Sequence, residues 1–493
     1  MKTTAFLHSV RRPLSLLACA GLLGAASLLS AAPKEPVYEN YIDFGGGYSL
    51  QSGDRAGFQK ALQMRKDGFF GIEALRYAAD LNDDTSVKVL GRALAGNKDF
   101  LLDVTLTKND VGYLKFGYKA FRTFYDGSGG VWPSNSVSFK LFDEDIGVDR
   151  GNLWFEAGST RPDTPTFVLR YDLFTREGTK DSTSWTDSGI PISASATRYI
   201  APNFLKLDEK RHVVSAKLAK RNEDNAWEFG VRMDKGEFNN GRYSRRRPLE
   251  PTADRFVTAK EGQDYTSLQF RGSVAVNLTE KLTVTTAAAR TTLETVLSGS
   301  RINGATWDAA YATTYPGIQS RDEGFYALPG HELGESEMTQ SLANISVMYK
   351  PTENVTIVPS IRFERTEWTN EVEFVETNFY PTVTTVVRED TLGESDKHWD
   401  TRNYGVELRY TAIPNVVFNL RGDISNSEGL LDETRILEPG TIHETISVDR
   451  ATELTRDTEK FSATMNWYPR AGMTVAAQYY YKSRENEYNA VRD

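Results

Sequence analysis

The sequence predicts an all-β protein, a large antiparallel transmembrane β-barrel made of long amphipathic strands. Three observations support this prediction: a period of two in the hydrophobic pattern, a regular alternation of short turns with long polar connections, and an export segment at the N-terminus. The period of two arises because successive side chains of a strand point to opposite faces. The alternating turns and loops are typical of outer-membrane barrels, whose short turns are periplasmic and whose long loops are extracellular.

The N-terminal segment has the organisation of a secretory signal peptide. A positively charged start is followed by an apolar run over residues 14–29 and then by the small residues Ser30-Ala31-Ala32. The run is shorter than the ~20 apolar residues that a membrane-spanning helix needs. We therefore predict that residues 1–32 are a cleaved signal peptide. Residues 33–493 are expected to form a single barrel domain in the cell outer membrane.

Charge and cysteine content exclude several classes of function. The formal net charge of the chain is −9, and removing the three basic residues of the signal peptide takes it to −12. Without a polybasic stripe, the chain lacks what nucleic-acid binding requires, because that binding depends on neutralising phosphates. The single cysteine, Cys19, lies in the signal peptide, so the mature chain can form no disulfide and attach no haem through cysteine. No cofactor is expected on this chain.

Amphipathic alternation recurs along the whole mature sequence. In one segment Val355, Ile357, Ile361 and Phe363 alternate with polar residues, and the same pattern is found near residues 227–233, 268–278, 404–410, 416–420 and 473–481. These segments suggest strands of roughly 11 to 15 residues, whereas strands of soluble sandwiches average about 5–6. Aromatic residues cluster near the predicted strand ends, as in the interfacial girdles of membrane barrels.

Turns and loops of two sizes separate the strands. Seven short turns are predicted, near residues 108–110, 162–164, 222–224, 279–280, 351–353, 414–415 and 469–472. Six long polar connections lie between them, at residues 127–150, 179–206, 239–264, 298–338, 371–400 and 429–459. This gives roughly seventeen strands. Because single-chain bacterial barrels normally have an even number, we expect either a C-terminally truncated sequence or a miscount near residues 69–81, where alternation is poor.

The polar faces of the predicted strands carry charges of both signs. A basic residue on the lipid face would cost about 2–4 kcal/mol near the midplane, so these side chains are expected to face the lumen. There they would either solvate a wide lumen and pair across strands, or hold a protein partner. The residues predicted to face the lumen are Lys115, Lys119, Arg170, Asp172, Glu228, Arg232, Asp234, Arg271, Arg362, Glu364, Glu407, Arg409, Arg421 and Asp423.

Two segments resemble a known barrel family. One runs from Pro165 to Asp187 and ends Phe174-x-Arg176-x-Gly178-x-Lys180-x-Ser182-x-Ser184-Trp185; the other is Val111 to Pro133. Both are similar to segments of the MtrB/PioB-like porin–cytochrome proteins, the outer-membrane barrels associated with multihaem cytochromes. The resemblance implies a barrel that acts as a sheath around a periplasmic multihaem c-type cytochrome, in extracellular electron transfer. Better-known members carry a Cys-x-x-Cys near the mature N-terminus, which this sequence does not have.

Two other functions remain open from the residues alone. The first is a general diffusion porin, in which the long connection 298–338, with Trp307, Tyr311, Tyr315 and Phe325, folds inward as a constriction. The second, held only as a remainder, is an outer-membrane enzyme that uses loop residues. Its candidates are Asp396, His398, Asp400 and His443, because an Asp–His pair can activate water or a nucleophile.

The expectation is that the protein is not an enzyme and has no metal site. None of the four histidines that remain after cleavage is spaced as a metal ligand from another histidine. The acidic run Asp143-Glu144-Asp145, with Gly147 and Asp149, could offer carboxylates to calcium, but its spacing is not that of an EF-hand loop. We interpret it as a solvated loop.

Overall fold

A computed structural model describes residues 40–65, 67–132, 137–140, 146–186, 199–246, 255–304, 324–326, 332–380 and 385–492. Nearly all of these residues lie in β-strands. The strands are β1 (Tyr41–Gly47), β2 (Phe69–Asn82), β3 (Thr85–Ala95), β4 (Asp99–Lys108), β5 (Gly112–Tyr125), β6 (Ser128–Trp132), β7 (Val137–Lys140), β8 (Ile146–Ser159), β9 (Thr166–Thr186), β10 (Tyr199–Arg221), β11 (Asn225–Arg246), β12 (Arg255–Thr279), β13 (Leu282–Gly304), β14 (Gly324–Tyr326), β15 (Gly334–Thr352), β16 (Val355–Tyr380), β17 (Thr385–Tyr410), β18 (Val416–Leu437), β19 (Thr445–Arg470) and β20 (Met473–Arg492).

The strands form one antiparallel meander. Each long strand pairs with the next along the chain, from β1 to β20, while β6 and β7 form a separate hairpin. The three-residue β14 pairs with β13 and β16 beyond the end of β15. Without it the main sheet of eighteen strands contains seventeen, the number estimated from sequence. Within the described residues, β1 and β20 are each hydrogen-bonded to one neighbour only. The predicted fold class, an all-β antiparallel barrel of long amphipathic strands, is confirmed.

All seven predicted short turns are confirmed. They connect β4 to β5, β8 to β9, β10 to β11, β12 to β13, β15 to β16, β17 to β18 and β19 to β20. Asp110, Asp163 and Asn415 have positive φ angles, of 55°, 56° and 62°. Asp and Asn accept this conformation more readily than other non-glycine residues because their short polar side chains can hydrogen-bond locally.

The strands are longer than the sequence pattern suggested. Nine of them, β9 to β13 and β16 to β19, have 21 to 26 residues, whereas 11 to 15 were predicted. The predicted connection 371–400, for example, is mostly strand, with only residues 381–384 between β16 and β17. The prediction was wrong because it relied on hydrophobic alternation. That signal disappears where both faces are polar, although the hydrogen-bond ladder continues.

Irregular pairing explains the poor alternation near residues 69–81. These residues form β2, whose pairing with β3 shifts register between Ile72 and Leu75 and again between Asp80 and Asn82. A bulge of this kind adds a residue to one strand and moves the following side chains to the other face. The segment is therefore a true strand of the meander.

The apolar face of the sheet is exposed, whereas in a soluble protein it would be buried. On the apolar face, which carries Phe229, Phe270 and Phe363, these three rings are 53%, 54% and 48% exposed. On the polar face, which carries Arg170, Glu228 and Arg362, side chains such as Asp172 and Asp234 are only 7% exposed. Large apolar side chains exposed on one face, with charged side chains in contact with one another on the other, are the arrangement of a membrane barrel. On the apolar face Arg290 stands opposite Phe270, near the end of the apolar stretch, from where a long side chain can reach polar surroundings.

One short helix, α1 (Arg55–Leu62), lies between β1 and β2. Asp54 caps its N-terminus by accepting a hydrogen bond from the backbone N–H of Gly57 at 3.0 Å. Its C-terminal end is tied to β5: the side chain of Gln63 donates to the carbonyl of Phe124 at 3.2 Å and accepts from the same residue's N–H at 2.9 Å. In the described part of the chain, no helix is long and apolar enough to cross a membrane.

Candidate functional site

All fourteen charged residues predicted to face the lumen lie on the polar face. The strand register shows this directly, because residues opposite one another in a ladder share a face. Lys115 is opposite Glu156, which is opposite Arg170, and the same row continues through Ser215 to Arg232. Further along the sheet, Arg362, Glu407 and Arg421 belong to the same face through their own pairings.

Glu156 on β8 is the centre of one cluster. It accepts hydrogen bonds from Tyr113 Oη at 2.8 Å, Lys115 Nζ at 3.2 Å and Arg170 Nη1 at 2.9 Å. Arg170 also binds Asp172 through Nε and Nη2, at 2.7 and 2.8 Å. These are charge-assisted contacts, and the bidentate pair is the most directional of them. Glu156 is almost fully covered, so its charge depends on these partners.

Asp234 on β11 is the centre of a second cluster. Arg211 binds both of its carboxylate oxygens, through Nε at 2.8 Å and through Nη2. Arg232 Nη2 lies 3.2 Å from the same carboxylate, and Tyr265 Oη donates to it at 3.1 Å. Two guanidinium groups therefore share one carboxylate on this part of the wall.

The two clusters are built on the same plan. In each, a glycine follows the acid by two residues, and a tyrosine of the neighbouring strand stands opposite that glycine: Gly158 with Tyr113, and Gly236 with Tyr265. A Cβ added at Gly158 or Gly236 would lie 2.5 or 2.2 Å from the tyrosine ring. The ring can therefore lie across the strand and reach the acid only because the opposing residue has no side chain.

Smaller groups of ion pairs lie elsewhere on the polar face. Glu228 is bound by Lys217 at 2.7 Å and Arg271 at 3.3 Å, Arg362 by Glu364 at 2.7 Å, and Arg421 by Asp423 at 2.8 Å. Gln340 Nε2 also donates to Glu364 at 2.8 Å. Among the described residues, the three predicted lumen charges without an ion pair are Lys119, Glu407 and Arg409.

Several residues of these clusters were not predicted from the sequence. Glu156, Arg211 and Tyr265 bind the predicted charges directly but were not singled out. Glu156 was missed because the alternation of β8 is interrupted by Trp154, which lies on the polar face against Gly117. Tyr265 was missed because an aromatic residue is usually assigned to the lipid face.

The predicted enzyme residues are not placed as expected. Asp396, His398 and Asp400 were expected in a loop, but they belong to β17, and Asp400 is bound by Arg365 at 2.9 and 3.2 Å. The placement was wrong because this part of β17 lacks an apolar face. His443 lies in the connection between β18 and β19. In the described part of the chain, no contact joins His443 to His398.

The metal hypothesis can be followed only in part. Asp143, Glu144 and Asp145 lie outside the described residues. The neighbouring Asp149 is bound by Arg122 at 2.6 Å and by Lys98 at 2.8 Å, so cations already neutralise its charge. Across the described ranges, no group of three or more His, Cys, Asp or Glu side chains is arranged to hold a metal ion.

The proposed constriction loop also falls mostly outside the described residues. Trp307, Tyr311 and Tyr315 belong to that undescribed part. Phe325 is in β14, which is hydrogen-bonded to β13 and β16 as part of the sheet. This part of the connection therefore extends the wall.

Comparisons with known proteins give only remote structural likenesses. No family model matches the chain, and no curated protein matches it. Among solved structures, it is similar to the ferric-catecholate import receptor Fiu from E. coli K12 in its open form, at 10% identity and a TM-score of 0.38, over 85% of this chain and 76% of the receptor. The ferric yersiniabactin uptake receptor FyuA from Yersinia pestis matches at 10% identity and a TM-score of 0.36, over 92% and 80% of the two chains.

A third solved structure is a Pseudomonas aeruginosa FadL homologue. It matches at 11% identity and a TM-score of 0.24, over 80% of this chain and 89% of that one. All three TM-scores are below 0.5. Strand pairing and the exposed apolar face of the sheet establish the fold class.

Proposed function

We propose that this protein is an outer-membrane β-barrel whose polar face lines a water-filled passage for small hydrated solutes. The observation that carries the proposal is the pairing of the polar face with itself: eleven of the fourteen predicted lumen charges form ion pairs within the wall. A wall whose charges are already compensated needs no protein partner to neutralise it. Barrels of 16 to 18 strands are wide enough to leave an aqueous channel.

The exposed apolar face supports a membrane location. Rings such as Phe229 and Phe270 are about half exposed, which in water would be a large and unfavourable apolar surface. In a bilayer, the same surface is in its preferred environment. Charges on the opposite face then contact water in the lumen.

Conductance in planar bilayers tests the passage. Purified protein should give open channels whose conductance rises in proportion to that of the bathing salt solution. Arg409 has no ion pair within the described chain, so its charge can act on passing ions. Arg409→Glu should shift ion selectivity towards cations, whereas Lys220→Glu, on the apolar face of β10, should not. Protein that inserts without conducting would overturn the proposal.

A second candidate function is a sheath for a multihaem cytochrome. It is favoured by one observation: the two segments that resemble the porin–cytochrome barrels, on β5 and β9, are brought next to each other, with only β8 between them. Strands β5 and β9, whose nearest ends are Tyr125 and Thr166, thus contribute to one patch of the sheet. A shared patch is what a common docking function would require.

Co-purification separates the two candidates. Outer membranes of the source cell would be solubilised, the barrel isolated, and the eluate tested by haem absorbance and haem staining. A stoichiometric c-type haem protein travelling with the barrel would favour the sheath. A haem-free barrel that conducts ions would support the aqueous passage and contradict the sheath function.

A further inference from the structure

One part of the polar face differs from the self-paired wall around it. On the polar face of β5, β8, β9 and β10, just beyond the residues whose opposite face is apolar, two adjacent rows of side chains line a cavity of about 420 Å³. The first row is Lys119, Asn152, Phe174 and Arg211, and the second is Phe121, Arg150, Arg176, Glu209 and Phe238. We call this set the basic pocket. Its volume is within the range of small-molecule sites, about 300–1,000 Å³.

The pocket has an excess of positive charge. Its two rows contain four cations, Lys119, Arg150, Arg176 and Arg211, and one carboxylate, Glu209, and Lys210 of β10 also lines the cavity. Arg211 is neutralised by Asp234, and Arg176 Nη1 contacts Glu209 at 3.2 Å. Within the described residues, Lys119 and Arg150 have no carboxylate partner. Two positive charges therefore remain uncompensated on a polar face whose other cations mostly form ion pairs.

Two of the arginines face each other across the ladder. Arg150 on β8 is directly opposite Arg176 on β9. Like charges in this position destabilise a pair of strands unless something between them carries the opposite charge. Glu209 compensates Arg176, at 3.2 Å, but no carboxylate of the described residues contacts Arg150. An anion between the two guanidinium groups would supply the charge that Arg150 lacks.

Polar atoms at the floor of the pocket lack partners. Arg176 Nε and Asn152 Oδ1 are both buried, and neither has a hydrogen-bond partner in the described structure. Since the two ends of an amide can be exchanged, Asn152 can offer a ligand either an acceptor or a donor. Arg176 Nε offers a donor. Buried polar atoms without partners are costly, and a bound group would satisfy them.

The pocket also has aromatic walls. Phe121 and Phe174 lie on the polar face, where they remain 39% and 37% exposed. Lys119 and Arg150 lie over the ring of Phe121, at 5.8 and 5.7 Å from its centroid, and Arg211 lies 5.7 Å from that of Phe174. Exposed rings beside unpaired cations suit a ligand that has both a flat apolar body and a negative charge.

We infer that the basic pocket is a binding site for an aromatic carboxylate or a similar organic anion. The carboxylate would take the place between Arg150 and Arg176, within reach of Lys119. The ring would lie against Phe121 and Phe174. This inference rests on the proposed function, because a solute reaches the pocket only if the polar face lines a passage.

Calorimetric titration of the purified barrel in detergent tests the pocket, with benzoate as the probe. Benzyl alcohol has the ring without the charge, and acetate has the charge without the ring. Benzoate should bind saturably and at least about tenfold more tightly than either, because benzyl alcohol lacks the charge-assisted contacts and acetate lacks the contacts with the aromatic rings. Arg150→Gln and Phe121→Ala should each weaken benzoate binding, whereas Lys220→Gln should leave it unchanged.

The outcomes separate this inference from the proposed function. Conducting channels that bind benzoate no better than acetate would contradict the inferred binding site and leave the proposed passage supported. Saturable benzoate binding by a barrel that does not conduct would keep the pocket and overturn the passage. Equal weakening by Arg150→Gln and Lys220→Gln would assign the binding to general positive charge and also overturn the pocket. Retained resistance of each variant to unfolding by sodium dodecyl sulfate at room temperature verifies its fold.

Discussion

Tyr265 lies across Gly236 and donates its hydroxyl hydrogen to Asp234, two residues before that glycine, at 3.1 Å. Tyr113 makes the same contact with Glu156 across Gly158, at 2.8 Å. In both clusters an arginine binds the acid from the strand on the other side. Each acid is therefore held between a neutral donor and a cation, in the middle of a three-strand unit.

The glycine in this unit is predicted to be essential to the cluster. Gly236→Ala would place a Cβ 2.2 Å from Cε1 of Tyr265, so the ring must move and its hydroxyl leaves Asp234. We expect a loss of about 1–3 kcal/mol in the free energy of unfolding. Denaturant titration of the barrel in lipid vesicles measures it. In a Tyr265→Ser background the same alanine should cost little, and equal costs in both backgrounds would contradict the explanation.

Removal of the acid at the centre of the first cluster should also be costly. Glu156→Gln takes the negative charge away from Lys115 and Arg170, which leaves two cations of the wall without their shared partner. Because both cations are more than one third exposed, water recovers part of the loss, and we expect about 1–2 kcal/mol. Glu407→Gln is the matched control, since Glu407 has no ion pair in the described chain. Similar effects of the two substitutions, measured by the same titration, would argue against the cluster.

The two faces of one strand should respond differently to the same substitution. Val274→Arg puts a cation in the middle of the apolar face of β12, where about 2–4 kcal/mol is expected if that face contacts the bilayer core. Ser273→Arg changes the adjacent residue on the polar face and should cost much less. Folding efficiency in vesicles reports the difference. If position 273 were the more sensitive, the assignment of the two faces would be reversed.

The contact between α1 and the sheet should depend on pH. Lys60 of the helix contacts Asp126 at 2.9 Å, and Asp181 lies close to both. Burial is the main cause that raises the pKa of Asp181, and a hydrogen bond with Asp126 raises it further. The hydrogen bond with Asp126 also raises the pKa of Lys60, so the lysine stays charged throughout the range considered.

The sign of this effect follows from proton uptake. An acid whose pKa is raised by folding binds more protons in the folded state, so its contribution to stability improves as the pH falls towards its raised pKa. Hydrogen exchange in α1 should therefore be slower near pH 4, close to the ordinary pKa of an aspartate, than at pH 8, after correction for intrinsic rates. Asp181→Asn should remove the difference. An unchanged difference in that variant would place the titrating group elsewhere.

The sequence predicted the number of strands in the main sheet and the short turns, but neither the length of the strands nor the local clusters. Alternation and turn residues such as Pro414-Asn415 are local signals, and every short turn inferred from them is present. The partners of a charge depend on register between strands that are far apart in sequence. Asp234, for instance, is bound by Arg211 and Tyr265 from two different strands. The basic pocket was missed for the same reason, and also because Arg150 was assigned to a loop rather than to β8.

The strands continue well beyond the apolar stretch that would be in contact with lipid. On β16 the apolar face ends near Phe363 while the strand runs to Tyr380. At about 3.3 Å per residue and a usual barrel tilt, the wall would rise roughly 40 Å above the membrane. A molecule approaching from outside would thus pass a tall extension made of paired strands before it reaches the bilayer.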